Sequence, residues 1–221
     1  VALTKYNYNS FDLTTAASKG LAFNSSANGF ETSSGTSMTL IKTLTASNSS
    51  TLSFVDGSSD VVLDNTYPVY LFKFINLHPS HSSYVDFTFQ ASTNTGSSYG
   101  VTSTSSWFTA YHLENDSDAA IEYNAASDQA QGTAFEVLCD NLGNLDDASA
   151  VGSLFLFNPS STTFVKHYMS ETTYMGNDPN TLNPRKAGYF NTTSAVDAIQ
   201  FKMASGNIAS GTIKLYGIKD S

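Results

Sequence analysis

Val69-Tyr70-Leu71-Phe72-Lys73-Phe74-Ile75 is apolar on nearly both parities. Such a run predicts a central β-strand with both faces covered, stopped by His78-Pro79 because proline has no N–H to give to a ladder. On its C-terminal side Val85, Phe87 and Phe89 alternate with Asp86, Thr88 and Gln90, the pattern of a strand with one dry and one wet face. On its N-terminal side Leu40-Ile41-Lys42-Thr43-Leu44 and Thr51-Leu52-Ser53-Phe54-Val55 are joined by Ser47-Asn48-Ser49-Ser50 and are expected to form a hairpin whose second strand ends at Asp56-Gly57.

Further along, Phe135, Val137 and Cys139 alternate with Glu136 and Leu138, and Leu154-Phe155-Leu156-Phe157 runs to Asn158-Pro159. These two segments are expected to pair. A helix over residues 129–142, with Ala130, Ala134, Leu138 and Leu142 on one face and Gly143 as its cap, is the alternative. At the C-terminus Ile199, Phe201 and Met203 alternate, then Ile213 and Leu215, on either side of Ser205-Gly206-Asn207, which predicts an antiparallel pair. About ten such strands, with turn signals between them and no βαβ alternation, give an all-β fold: an antiparallel β-sandwich, jelly-roll-like.

The stretch ahead of Met38 has another texture. It is rich in Ser, Thr, Asn, Ala and Gly, without a sustained period, and carries Tyr6, Tyr8, Phe11, Phe23 and Phe30. Disordered tails are depleted in aromatics, so residues 1–38 are expected to form an extended N-terminal arm that docks these rings, ahead of a sandwich domain over residues 39–221. At 221 residues a single domain buries about 70% of its unfolded surface and needs no disulfide or metal staple. Cys139 is the only cysteine, so no intrachain disulfide can form. A chain that begins at Val1 fits a trimmed initiator methionine and a nearly whole gene product.

The net charge of −9, with 10 Lys+Arg, argues against nucleic acid as a partner, because phosphate affinity comes from clustered cations. No stretch reaches the about 18 apolar residues of a membrane helix. Charged residues make up only 13% of the chain, and Ser, Thr and Asn supply the remaining polarity. Hydrogen bonds and apolar packing survive the salt that screens ion pairs, which suits an extracellular or virion protein.

Chemistry-bearing residues are few. His78 and His81 share a loop but lack a third ligand beside them. Glu114, Asp116 and Asp118, and Asp140 with Asp146 and Asp147, gather without the glycine and terminal glutamate of a calcium loop, so no metal or cofactor is expected. No Gly-x-Ser-x-Gly elbow, phosphate loop or His-Glu-x-x-His helix is present, and the chain is read as a non-enzyme. Trp107 and Tyr111 could form a glycan platform, against the competing role of core or interface aromatics.

The run Ser205-Gly206-Asn207-Ile208-Ala209-Ser210-Gly211-Thr212-Ile213-Lys214-Leu215-Tyr216-Gly217-Ile218 resembles a terminal signature of tailed-phage virion proteins with a jelly-roll-like fold. Tyr67-Pro68 through Pro79-Ser80, Phe155-Leu156-Phe157-Asn158-Pro159 and Thr193-Ser194-Ala195-Val196-Asp197-Ala198-Ile199 match the same type. Together they span Met38 to the end, and the chain is similar to structural proteins of marine bacteriophages that decorate capsids or form parts of tails and fibres. The resemblance carries no catalytic residues. It implies a capsid decoration or cement protein on the particle exterior, assembled in the host cytoplasm. Such a subunit is expected to be a homotrimer whose arm reaches a neighbour, with the major capsid protein or other virion proteins as partners. A tail or fibre adhesin that binds host glycan is the alternative.

Overall fold

The structure is a computed structural model and describes residues 20–23, 26, 30–33 and 37–219. Fourteen strands and no helix occur among the described residues. The chain divides between Thr39 and Leu40. On the N-terminal side of that division, β1 (Gly20–Phe23) and β2 (Phe30–Ser33) form an antiparallel hairpin with Phe23 opposite Phe30. Part of the expected arm therefore pairs with itself, while Tyr6, Tyr8 and Phe11 lie outside the described residues.

The remaining strands are β3 (Met38–Thr45), β4 (Leu52–Val55), β5 (Val69–Pro79), β6 (Val85–Ser92), β7 (Ser103–Leu113) and β8 (Ala119–Tyr123), followed by β9 (Glu136–Leu142), β10 (Ala150–Phe157), β11 (Lys166–Met175), β12 (Asn180–Phe190), β13 (Ala198–Met203) and β14 (Ile208–Ile218). They build two antiparallel sheets, ordered β3-β14-β5-β10-β11-β12-β7-β8 and β4-β13-β6-β9. Within them β3 neighbours β14, β4 neighbours β13, β5 neighbours β10 and β6 neighbours β9. This nested pairing of first with last is a long antiparallel ribbon rolled into a sandwich, the jelly roll. The hairpins β7–β8 and β11–β12 are insertions that widen the large sheet beyond β10.

The sheets meet over interlocked rings. Phe201 of β13 has Phe54, Phe72, Phe74, Phe87 and Phe89 around it at centroid separations of 5.3 to 6.3 Å. Phe72 and Phe74 come from β5 in the large sheet, and the others from the small sheet, so one side chain joins both layers. Edge-to-face pairs, as with Phe54, Phe72 and Phe74, and stacked pairs, as with Phe87 and Phe89, add to the burial of apolar area. As expected, β5 is central, between β14 and β10, but its second face is not fully covered, since Lys73 and Ile75 are exposed.

Several pairings differ from expectation. β3 and β4 do not form a hairpin, because they belong to opposite sheets. Their link stays bonded to β14, with the Ala46 N–H donating to Gly211 O and the Asn48 N–H to Ala209 O, both at 2.9 Å. β13 and β14 are likewise divided between the sheets at Ser205-Gly206-Asn207. β9 pairs with β6, and β10 with β5 and β11, so these two strands do not pair with each other. An alternating strand needs one buried face whether the chain turns back beside it or arches over to the other layer, so alternation records the face and not the partner.

Local corrections follow the same logic. The possible helix over residues 129–142 is the strand β9 in its second half. Thr88 and Gln90, expected on a wet face, are buried, and the Gln90 amide donates to Thr133 O and Ala134 O at 3.1 and 2.8 Å. Gly211 and Gly217 lie inside β14. Gly211 sits at a bulge with φ +108, where a Cβ would come 2.5 Å from Asn76 O, so only glycine fits.

Phe201→Ala should lower the unfolding free energy by about 3–5 kcal/mol, the cost of emptying a buried aromatic site. Urea unfolding followed by tryptophan fluorescence measures it.

Candidate functional site

Four strands of the large sheet, β11, β12, β7 and β8, reach beyond the β10 edge that closes the jelly roll. Their two faces serve different ends. On the inner face Tyr168 and Tyr174 of β11, Lys186 and Phe190 of β12, and Ser103 and Trp107 of β7 are buried. Glu136 of β9 turns toward them from the small sheet and is also fully buried.

The Lys186 ammonium donates to the Glu136 carboxylate, to Ser127 O at 2.7 Å and to Ser105 Oγ at 3.3 Å. Glu136 also accepts from Ser105 Oγ at 2.9 Å and from the Tyr168 hydroxyl at 2.8 Å. Every strong polar atom of the ion pair is thus engaged, as a buried pair requires. Burial pulls the Lys186 ammonium below its ordinary range, and the Glu136 charge acts in the opposite direction. Gly188 is required beside this network, since a Cβ there would meet the Tyr168 hydroxyl at 2.6 Å. Glu136 looked like a wet-face residue in the sequence, and nothing local marks it as the inward partner of a lysine fifty residues away.

The residues read as candidates take other roles. Trp107 is 0% exposed, so its ring offers no surface to a sugar. Tyr111 is half-buried on the same side of β7, and its hydroxyl donates to Asp118 at 2.9 Å. The two do not form a platform. His78 Nδ1 lies 2.7 Å from Ala148 O, whereas His81 is engaged in its own loop with Ser83. Glu114, Asp116 and Asp118 belong to the tight β7–β8 turn, in which Asp116 has φ 58. Among the described residues no three His, Cys, Asp or Glu side chains converge as metal ligands. Phe23 and Phe30 are cross-strand partners in β1–β2.

Asp140 is a separate case. It accepts from the Tyr174 hydroxyl and, at 3.3 Å, from Asn124 Nδ2. Burial pushes its carboxyl above the ordinary range; the Tyr174 hydrogen bond opposes this and the Asp86 charge adds to it. Cys139 is fully buried beside it, and burial likewise pushes its thiol up.

The outer face is different in kind. One row crosses the sheet as Phe155, Met169, Ala187 and Ser106, and the next as Ser153, Glu171, Arg185, Phe108 and Tyr123. The small side chains Ala187 and Ser106 stand between taller Phe155, Met169 and Phe108. The result is an apolar depression of about 280 Å³, which continues past His167 and Tyr189 toward Phe157. Met169 is 56% exposed and Phe108 44%. Arg185 and Glu171 on this face pair at 2.8 Å, a half-exposed bridge that adds little to stability, and past Ser153 the same row carries Lys73 and Lys214. Exposed apolar side chains thus border the depression, and charged ones flank it.

Comparison with protein-family models, with curated proteins and with solved structures gives no match.

Lys186→Met should destabilise the protein by about 3–5 kcal/mol, because Glu136 is left charged and buried without its counter-ion. Adding Glu136→Leu should recover most of that loss, and paired denaturation curves provide the check. Asp140, with its folded pKa raised, favours the folded state fully below the unfolded value of 3.8, and that contribution is lost as pH rises through the folded pKa. Asp140→Asn should therefore remove Asp140's share of the pH dependence, raising the melting temperature more at neutral pH than near that value, as read by calorimetry across the pH range.

Proposed function

We propose that this chain is a structural subunit of a tailed-phage virion, an exterior decoration protein that seats the outer face of its large sheet on the major capsid protein. The observation that carries the proposal is that face: Phe155, Met169, Phe108 and the depression over Ala187, with Arg185 and Glu171 neutralising one another. The depression calls for an apolar anchor on the partner surface, and that part of the contact survives salt because it is not ionic.

The jelly-roll order of the sheets supports the proposal, since this architecture is used in capsid and lectin domains, although the fold alone assigns no function. The resemblance of the C-terminal stretch, residues 205–218, to virion proteins points the same way. On the inner face Lys186, Glu136, Tyr168 and Ser105 are committed to one another and to Ser127 O, an arrangement suited to packing. Against the adhesin alternative stands the burial of Trp107, which removes the strongest stacking ring from the surface.

Full-length protein mixed with emptied heads of the phage that carries its gene should co-sediment at a fixed stoichiometry, in high salt as well as low. Met169→Lys should weaken that binding at least about tenfold, because a lysine charge would be desolvated at the centre of the contact. Folded wild-type protein that stays in the supernatant would overturn the proposal, and saturable binding to tails or fibres instead would assign the adhesin alternative.

A further inference from the structure

The large sheet ends at β8, and the way β8 meets β7 determines which of its backbone groups face outward. The Leu113 N–H donates to Asp118 O at 3.0 Å and the Asn124 N–H to Trp107 O at 3.1 Å. With Tyr111 opposite Ala120 and Thr109 opposite Glu122, the hydrogen-bonded pairs of this ladder fall on the even-numbered residues of β8. The N–H and C=O groups of Ala119, Ile121 and Tyr123 therefore point away from the sheet, along a free edge.

Natural proteins blunt such edges with lysine, proline or a bulge, and Ala119–Tyr123 contains no proline, no lysine and no register shift. Instead it displays Ile121 at 76% exposure and Tyr123 at 59%. The other margin of the same sheet is handled differently: Lys42 stands in β3 and donates to Ser59 O at 2.6 Å.

We infer that β8 pairs with β8 of a second copy of this chain about a two-fold axis through Ile121, joining two eight-stranded sheets into one. The strand is complementary to itself in that register. Ile121 meets Ile121, and Ala119 meets Tyr123 on either side, so each of these pairs exchanges two N–H···O=C bonds and every outward-facing backbone group of β8 is used. On the other face Glu122 lies opposite Ala120, not opposite its own copy, and just beyond the strand Asp118 lies opposite Asn124. The small Ala119 leaves room for the Tyr123 ring, and the Ile121 side chains cover one another on the outer face. A β8–β8 contact is isologous and closes as a dimer, so it differs from the three-fold assembly that the virion resemblance implies. It requires no virion, and holds or fails independently of head binding.

The two Glu122 carboxylates remain diagonal neighbours, at the spacing of about 7–8 Å found for such positions. They repel weakly, and salt relieves this. The dimer should therefore tighten when salt is raised or when Glu122→Gln is introduced.

Sedimentation equilibrium of the full-length protein, paired with hydrogen exchange at low and high concentration, tests the inference. The wild type is expected to be a dimer at tens of micromolar, with the Ile121 amide exchanging more slowly as concentration rises. Ile121→Pro should be monomeric with unchanged unfolding, since the Ile121 N–H makes no bond to β7. Met169→Lys, on the outer face away from the edge, should leave the dimer intact. If Ile121→Pro does not fold, Ala119→Pro and the concentration dependence of the wild-type Ile121 amide still decide the matter. A wild type that is monomeric throughout, or an oligomer unmoved by either proline and without protection at Ile121, overturns the inference.

Discussion

A sheet of eight strands packed on one of four has surplus inner face, and covering that surplus is the constraint on which the rest of the structure depends. The jelly roll proper meets its own need with rings, Phe201 at their centre. Beyond β10 the second layer continues only as its edge strand β9, and the rest of the cover comes from the segment between β8 and β9. Glu136 and Ser127 O hold Lys186 from below, and Trp107 lies buried beside it on the neighbouring strand. An ion pair in such a place is weak evidence of net stability, because desolvation offsets most of the attraction. What it fixes is position: the pair is satisfied in only one placement of β9 under β12.

That division of labour has functional consequences. Side chains that could act on a ligand, Trp107, Tyr168 and Lys186 among them, are used up in holding the extension flat. The outer face and the β8 edge are what the fold leaves exposed. Both expose apolar side chains, in a chain whose charged residues amount to 13%. Association through such surfaces depends on shape and on backbone hydrogen bonding more than on long-range attraction.

The strands themselves were legible because each buries one face. Val69 to Ile75 reads as central from its composition alone, and it is central. Ile199, Phe201 and Met203 read as one apolar face, and they are buried. The partners of these strands were not legible: β13 and β14, adjacent in sequence and both alternating, belong to different layers. Glu136 was misjudged for a related reason. Charge in an alternating strand normally marks the wet side, and the lysine that makes burial tolerable lies on another sheet. Trp107 was read as a possible platform because exposure has no signature in a strand whose neighbours are serine and phenylalanine.

By itself, then, the amino-acid order determined an all-β chain, the positions of most strands, the central place of β5 and the scarcity of charge. These follow from side-chain chemistry within a few residues, where period two and turn residues speak directly. Only the tertiary structure decided which strands pair, that two inserted hairpins widen one sheet, that Glu136 and Lys186 meet inside, and that Ala119, Ile121 and Tyr123 turn their backbone groups outward. Each of these depends on contacts between residues far apart in the chain, and a strand of alternating residues satisfies its own local requirements equally well with any partner that covers its apolar face.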